Sequence, residues 1–406
     1  MGRIINKLSL KGDRILGIVV IALMLISLLV VYSSTGSLAF RVRGGDTSFY
    51  LLKQLFLLVG CYGVILLTQS CHYKYLLSFA TFILLASFGF LVLAKVMGAT
   101  LNDTERWIKI FGISFQPSEF AKLAVIIFCA RAIAFEQTEK GCDDNVLLRM
   151  LWVVPILFLI FNYKLQESML NFSTSALLGG VCLFMLFVGR LSLKTFSKII
   201  GGLVLLVVLL VAALFIVPEK QLGKVGRLLT VKSRLEAFFV PSKANKDDSY
   251  QSDQAKIAVA RGGLFKVAPG TSVQRNFLPH PYSDFIFAII VEEYGLGGAG
   301  VVMLLYLIIL YRVGVIVRRC TRMFPAMLVT GLGLCIVLQA LINMGVCVGL
   351  FPVTGQPLPL VSMGGTSLLF TSAAFGMILS VSHTFSEEGE REAKEKLKVA
   401  TTEEEI

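Results

Sequence analysis

The chain returns repeatedly to stretches of about 20 mostly apolar residues, the length an α-helix needs to cross the hydrocarbon of a bilayer. About ten can be read, over residues 15–34, 54–71, 75–98, 117–136, 148–163, 172–190, 195–217, 284–311, 324–350 and 362–381. A composition 56% hydrophobic and only 16% charged, with mean hydropathy +0.78, lies outside the range of water-soluble globular chains. The expected fold is an all-α polytopic membrane protein of about ten transmembrane helices. An even number places both termini on one side.

Basic residues set that side. Arg3, Lys7, Lys11 and Arg14 precede the first span, and alternate short loops hold Lys74, then Lys140 and Arg149, then Lys194 and Lys198, then Arg312, Arg318, Arg319 and Arg322. Both termini are therefore expected in the cytoplasm. The first span is too long and too well flanked for a cleaved signal peptide and reads as a retained signal anchor. Residues 1–385 form the membrane domain and residues 386–406 a charged, partly helical cytoplasmic tail.

One connection is far longer than the rest. Residues 218–283 form a mostly polar extracytoplasmic loop, and loops of such length are usually functional or disordered. Its basic residues, part of a formal net charge of +12, suit an anionic substrate such as a pyrophosphate or acidic lipid, or are simply solvated. None of the 8 cysteines falls in this loop, so a disulfide framework is not expected. The only histidines are His72, His280 and His383, too few for a Cys/His zinc constellation. Neither a phosphate-binding Gly-Lys-Ser/Thr loop nor a nucleic-acid motif is present.

Several local constellations carry chemistry. Ahead of the fourth stretch stand Glu105-Arg106-Trp107-Ile108-Lys109, then Gln116-Pro117-Ser118-Glu119 and Lys122. Pro117 marks a helix start, and Trp107 reads as an interfacial anchor or a substrate contact. Glu119 and Lys122 sit three apart inside a span, where ionisable groups face each other or a cavity. In the long loop, Tyr250-Gln251 precedes Arg261-Gly262-Gly263, Gln274-Arg275 and Ser283-Asp284, followed by Glu292-Glu293-Tyr294-Gly295. The glycines there read as a turn or as a phosphate nest. Asp284, at the boundary between loop and helix, reads as an N-cap, a catalytic carboxylate, or both. Finally Asn343-Met344-Gly345 and Pro352-Val353-Thr354-Gly355 through Ser362-Met363-Gly364-Gly365 imply irregular backbone at membrane depth.

Taken together, Arg106-Trp107, Gln116-Pro117-Ser118-Glu119, Tyr250-Gln251 ahead of Gly262-Gly263, Leu278-Pro279 before Ser283-Asp284-Phe285, Glu292-Glu293-Tyr294-Gly295 and the 352–365 segment resemble the SEDS proteins of bacterial cell-wall synthesis. Tyr32-Ser33-Ser34 and Gly45-Asp46 through Lys53-Gln54 look more like the division branch of that family than its elongation branch. The resemblance implies a glycosyltransferase that polymerises lipid II into peptidoglycan at the outer face of the bacterial cytoplasmic membrane, at the division septum. It matches Asp284 to the family's essential acid, implying a general base for an inverting displacement of undecaprenyl pyrophosphate. Candidate substrate-binding residues are Arg106, Trp107, Lys109, Glu119, Lys122, Tyr250, Gln251, Arg261, Gln274, Arg275 and Ser362. A divalent cation, Mg2+ or Mn2+, is a candidate cofactor.

The implied partners are lipid II, membrane lipid, other division proteins and a class B penicillin-binding protein, which would supply crosslinking; no nucleic acid is expected. Glycines 297, 298, 300, 331 and 333 are candidates for packing the partner's transmembrane helix, or for packing within this chain. Three alternatives compete: an elongation-branch polymerase, a lipid II flippase using Lys95, Glu119, Lys122, Arg131, Glu292 and Glu293 as a polar path, and a division scaffold without chemistry of its own. The chain departs from the family's pattern at Glu167 through Thr174, where many members have Gln-Pro-Asp-Leu-Gly-Thr, and at Lys266 and Pro269.

Overall fold

The computed structural model describes residues 10–44, 46–97, 99–101, 104–110, 113–161, 172–216, 246–266 and 268–404. The first helix, α1 (Arg14–Ser34), starts where Asp13 accepts the Leu16 N–H at 2.9 Å, satisfying one of the donors a helix start leaves unpaired. It is followed by α2 (Gly36–Arg43), α3 (Ser48–Ser70), α4 (Tyr73–Met97) and α5 (Pro117–Phe135), which carries Pro117 in its first turn. Then come α6 (Val146–Met150), α7 (Val154–Phe161), α8 (Phe172–Val188), α9 (Leu193–Ile216), α10 (Lys246–Gly262), α11 (Ile286–Arg319), α12 (Met323–Cys347) and α13 (Gly365–Glu404). The last is continuous into the charged tail. Helices occupy every one of the expected apolar stretches, and six of those described are long and apolar enough to cross a membrane: α1, α3, residues Tyr73–Ala94, α11, α12 and residues Gly365–Ser386.

Ile18, Leu25, Leu29, Phe56, Phe82, Val301 and Leu304 face outward, while Leu16, Leu23, Ile65, Ile126, Leu178, Tyr306 and Phe375 fill the interior. Apolar side chains on both surfaces are what a lipid solvent requires. Helix α12 is the central post, buried along most of its length and packed against α5, α8, α11 and α13. At one end of the bundle Gly12 lies against Leu379 and His383, and the Lys11 N–H reaches Gln69 Oε1 at 3.3 Å. The first helix thus begins where the last apolar helix ends, as an even count demands.

Two small β elements join the helices: β1 (Ala99–Leu101), β2 (Thr104–Ile110) and β3 (Ile113–Phe115) form an antiparallel sheet in that order, and β4 (Gln137–Thr138) pairs with β5 (Gly141–Cys142). β2 is rich in β-branched and aromatic residues, Thr104, Trp107, Ile108 and Ile110, which suit a strand better than the polar loop expected there. The stretch 284–311 is not one straight span, because Gly295 breaks it with φ 69°. Residues Ile286–Glu293 are buried all round, and α11 presents Leu296 and Val301 outward only beyond the kink. Lastly, Gly331 and Gly333 are no free surface for a partner. A Cβ on Gly331 would come within 2.6 Å of Ile126 and Met185, and one on Gly333 would overlap Val313, so both pack helices inside this chain.

Candidate functional site

At the bundle end opposite Gly12, the segment leading into α11 is pinned through three consecutive main-chain carbonyls. Met363 N donates to Tyr282 O at 2.9 Å, Ser362 Oγ to Ser283 O at 2.6 Å and Asn343 Nδ2 to Asp284 O at 2.8 Å. The helix cap falls on Phe285, one residue past Asp284. Asp284 itself is partly exposed, with Ser283 Oγ donating to its Oδ1 at 2.9 Å, and a Cβ on Gly355 would stand 3.6 Å from Oδ2. Burial first, and then the Tyr50 phenol and the Asp284 carboxylate, raise the Tyr282 hydroxyl above its ordinary value, so it stays protonated beside the acid.

Asn343 donates from α12, and the other two donors come from a loop that crosses the interior between α12 and α13. Leu358, Pro359, Leu360, Val361 and Ser362 are buried, so their peptide groups need partners from the protein. Side chains supply them: Ser27 to Val361 O at 2.8 Å, Gln339 to Pro357 O at 2.9 Å, Asn343 to Gln356 O at 2.8 Å, Ser173 to Thr354 O at 3.1 Å, and Tyr306 to Pro359 O. Gln339 continues the network into the bundle, accepting from Lys122 at 2.8 Å, and Lys122 pairs with Glu119 at 2.9 Å. Glu119, Lys122 and Gln339 line a small pocket between α5, α12 and α13, walled mostly by apolar groups such as Ile126 and Phe370.

Two buried carboxylates fasten the loop before Asp284 to the helix after it. Glu292 accepts from Ser272 Oγ and from the main-chain N–H of Val273 at 3.1 Å and Gln274 at 3.3 Å. Glu293 accepts from Ser33 Oγ of α1 and from Ser272 N at 3.2 Å. Arg275 Nη1 closes the arrangement on Ser33 O at 2.9 Å. Alongside, the end of α10 crosses α11 with backbone against backbone: Leu296 N meets Gly263 O and Gly297 N meets Leu264 O, each at 3.0 Å. No Cβ fits on Gly262, where the Val291 carbonyl already occupies the space.

The cell cycle protein family model for FtsW, RodA and SpoVE matches residues 13–387. The chain belongs to the FtsW/RodA/SpoVE family. Relatives named "Probable peptidoglycan glycosyltransferase FtsW" include that of Bacillus subtilis (strain 168), 30% identical over 93% of this chain and 92% of the relative. That of Dichelobacter nodosus is 34% identical over 89% of this chain and 87% of the relative. A solved chain described under "Structural coordination of polymerization and crosslinking by a peptidoglycan synthase complex" has TM-score 0.72 at 22% identity, covering 93% of this chain and 99% of that one. Thermus thermophilus rod shape determining protein RodA has TM-score 0.62 at 23% identity, covering 91% and 96%. Those two likenesses speak to the FtsW/RodA/SpoVE fold.

The expected site residues of this family member fall into groups. Arg106, Trp107 and Lys109 belong to β2, with Trp107 opposite Ala99 and Lys109 opposite Ser114, while their side chains lie outside the described part. Tyr250 and Gln251 stand on α10 and Arg261 at its exposed end. Gln274, Arg275 and Ser362 have structural partners: the first two join the clamp on Glu292 and Ser33, and the Ser362 hydroxyl both donates to Ser283 O and accepts from Leu358 N at 2.8 Å. Residues 162–171 and 217–245, and the side chain of Lys95, lie outside the described residues. Sequence reasoning did not single out Gln339 or Tyr282, and noted Asn343 only within a motif. The signal was available for two of them, since Gln339 and Asn343 are polar residues four apart on an apolar span.

Proposed function

We propose that this chain is a membrane-embedded peptidoglycan glycosyltransferase of the FtsW type, polymerising lipid II with Asp284 as the general base. The observation that carries the reading is the setting of Asp284, a partly exposed carboxylate whose main chain is held by Asn343 and whose neighbours are held by Ser362 and Met363. A base must be held in place while its reactive atom stays reachable. In the reaction the acceptor sugar's 4-hydroxyl gives its proton to Asp284 as its oxygen bonds to the donor's anomeric carbon. The bond to undecaprenyl pyrophosphate breaks in the same step, converting an α-linked donor into a β-linkage. No covalent sugar-enzyme intermediate is required.

Charge developing on the leaving pyrophosphate needs cations. Arg106 and Lys109 on β2 and Arg261 at the end of α10 fit that need better than Arg275, whose guanidinium is already bonded to Ser33 O. Among the described residues no three His, Cys, Asp or Glu side chains gather into a metal cage. A Mg2+ or Mn2+ ion, if bound, would add positive charge beside the leaving pyrophosphate. The flippase reading gains little support. Glu119 and Lys122 neutralise each other, Arg131 bonds Thr81 at 2.8 Å, and Glu292 and Glu293 secure the loop.

Site at the septum and assembly with a class B penicillin-binding protein, lipid II and other division proteins complete the proposal. The direct test incubates the purified full chain, alone and with such a transpeptidase, with lipid II. Glycan strands on a gel are expected. Label crossing a vesicle bilayer without strands would favour the flippase, and neither outcome would leave a scaffold.

A further inference from the structure

We infer that Asn343 is a positioning residue for Asp284, acting through the main chain and not on the substrate; the inference rests on the reading of Asp284 as the base. Asn343 is 1% exposed on α12. Its amide nitrogen has two hydrogens and two acceptors, Asp284 O at 2.8 Å and Gln356 O at 2.8 Å. Those acceptors belong to different chain segments, the entry to α11 and the interior loop, so one nitrogen ties both together.

The other end of the same side chain shows what the amide is for. Asn343 Oδ1 is buried and has no hydrogen-bond partner among the described residues. An unsatisfied buried acceptor costs about 1–3 kcal/mol. Leucine would fill nearly the same space without that cost, so the asymmetry points to the two N–H groups as the reason for an asparagine. Holding Asp284 O restrains rotation about the Cα–C bond of Asp284. With Ser283 O and Tyr282 O held as well, the direction in which the carboxylate leaves the backbone is set, and the Ser283 hydroxyl restrains the carboxylate itself. Misplacing a reacting group by about 1 Å can cost roughly 10²-fold in rate. One turn earlier Gln339 holds Pro357 O and receives Lys122, which steadies the same loop from the Glu119 side.

The test uses the full-length protein in detergent and compares Asn343→Asp, which keeps the shape without the donors, with Asn343→Leu and with Asn343→Gln, which keeps an amide donor. Lipid II polymerisation kinetics and thermal unfolding are read for each. The first two variants are expected to lower kcat by roughly 10–100-fold with KM for lipid II within about twofold of wild type. Asn343→Gln should regain part of the loss. Wild-type kcat in a folded Asn343→Leu protein, a raised KM at unchanged kcat, or loss of the unfolding transition in both variants would each overturn the inference. If Asp284→Asn alone polymerises normally, the base assignment fails. If it is inactive while the Asn343 variants keep wild-type kcat, only the role of Asn343 fails.

Discussion

Glu119 and Lys122 meet at 2.9 Å on one face of α5, inside the bundle, and Lys122 passes a second hydrogen bond to Gln339 at 2.8 Å. Removing one partner of a buried pair leaves the other charge uncompensated, at about 3–5 kcal/mol, whereas removing both is often tolerated. Lys122→Met should therefore unfold at markedly lower temperature, and Glu119→Leu/Lys122→Met should recover most of the loss. Thermal melts in detergent decide it. Equal melting of the single and double variants would mean that the pair is not energetically coupled.

Gly295 has φ 69°, and a Cβ there would stand 2.8 Å from Leu264 O. That atom, like Val291 O beside Gly262, is main chain and cannot step aside. Gly295→Ala and Gly262→Ala are each expected to destabilise by about 1–3 kcal/mol and to loosen α10 from α11. Faster amide exchange at Leu296 and Gly297, whose N–H groups bond Gly263 O and Leu264 O, is the readout.

Glu292→Ala removes the acceptor of the Val273 and Gln274 N–H groups and of the Ser272 hydroxyl. Each buried donor left unmatched costs about 1–3 kcal/mol unless water reaches it, so the loop before Asp284 should detach before the bundle melts. Limited proteolysis would then cut near residues 268–277 in the variant and spare the wild type.

Arg312 grips Asp13 at the other end of the bundle. Burial alone would raise the Asp13 carboxyl, but the Arg312 hydrogen bond and the Leu16 N–H outweigh it and hold the group below its ordinary 3.8. A carboxylate with a depressed folded value stabilises above its unfolded value, and that contribution disappears as pH falls through the folded one. Asp13→Asn should be less stable than wild type at neutral pH, with the gap closing below about pH 4. A gap independent of pH would assign the effect to packing or capping.

The apolar stretches were legible because lipid imposes a length and a composition on each helix. The kink at Gly295 was not, since a glycine inside an apolar run tells of a close backbone approach only once Leu264 is known to lie across it. Asp284 stood out as an acid at a helix mouth. Its supports did not, because Asn343 and Ser362 act from α12 and from the interior loop, 59 and 79 positions along the chain from their acceptors. Arg275 and Gln274 were legible only as polar residues of a basic loop, which suggests a substrate contact; the fold alone shows the Arg275 guanidinium on Ser33 O and the Gln274 main-chain N–H on Glu292.

The central claim is that Asp284 takes the proton in glycan synthesis, and the most direct measurement is polymerisation of lipid II by purified Asp284→Asn protein with its unfolding temperature recorded alongside. The predicted result is a protein that melts within a few degrees of wild type, because the main-chain bonds from Asn343, Ser362 and Met363 do not depend on the carboxylate, and that makes no glycan strands. Glycan strands formed by the folded Asp284→Asn protein at a rate near wild type would contradict the account.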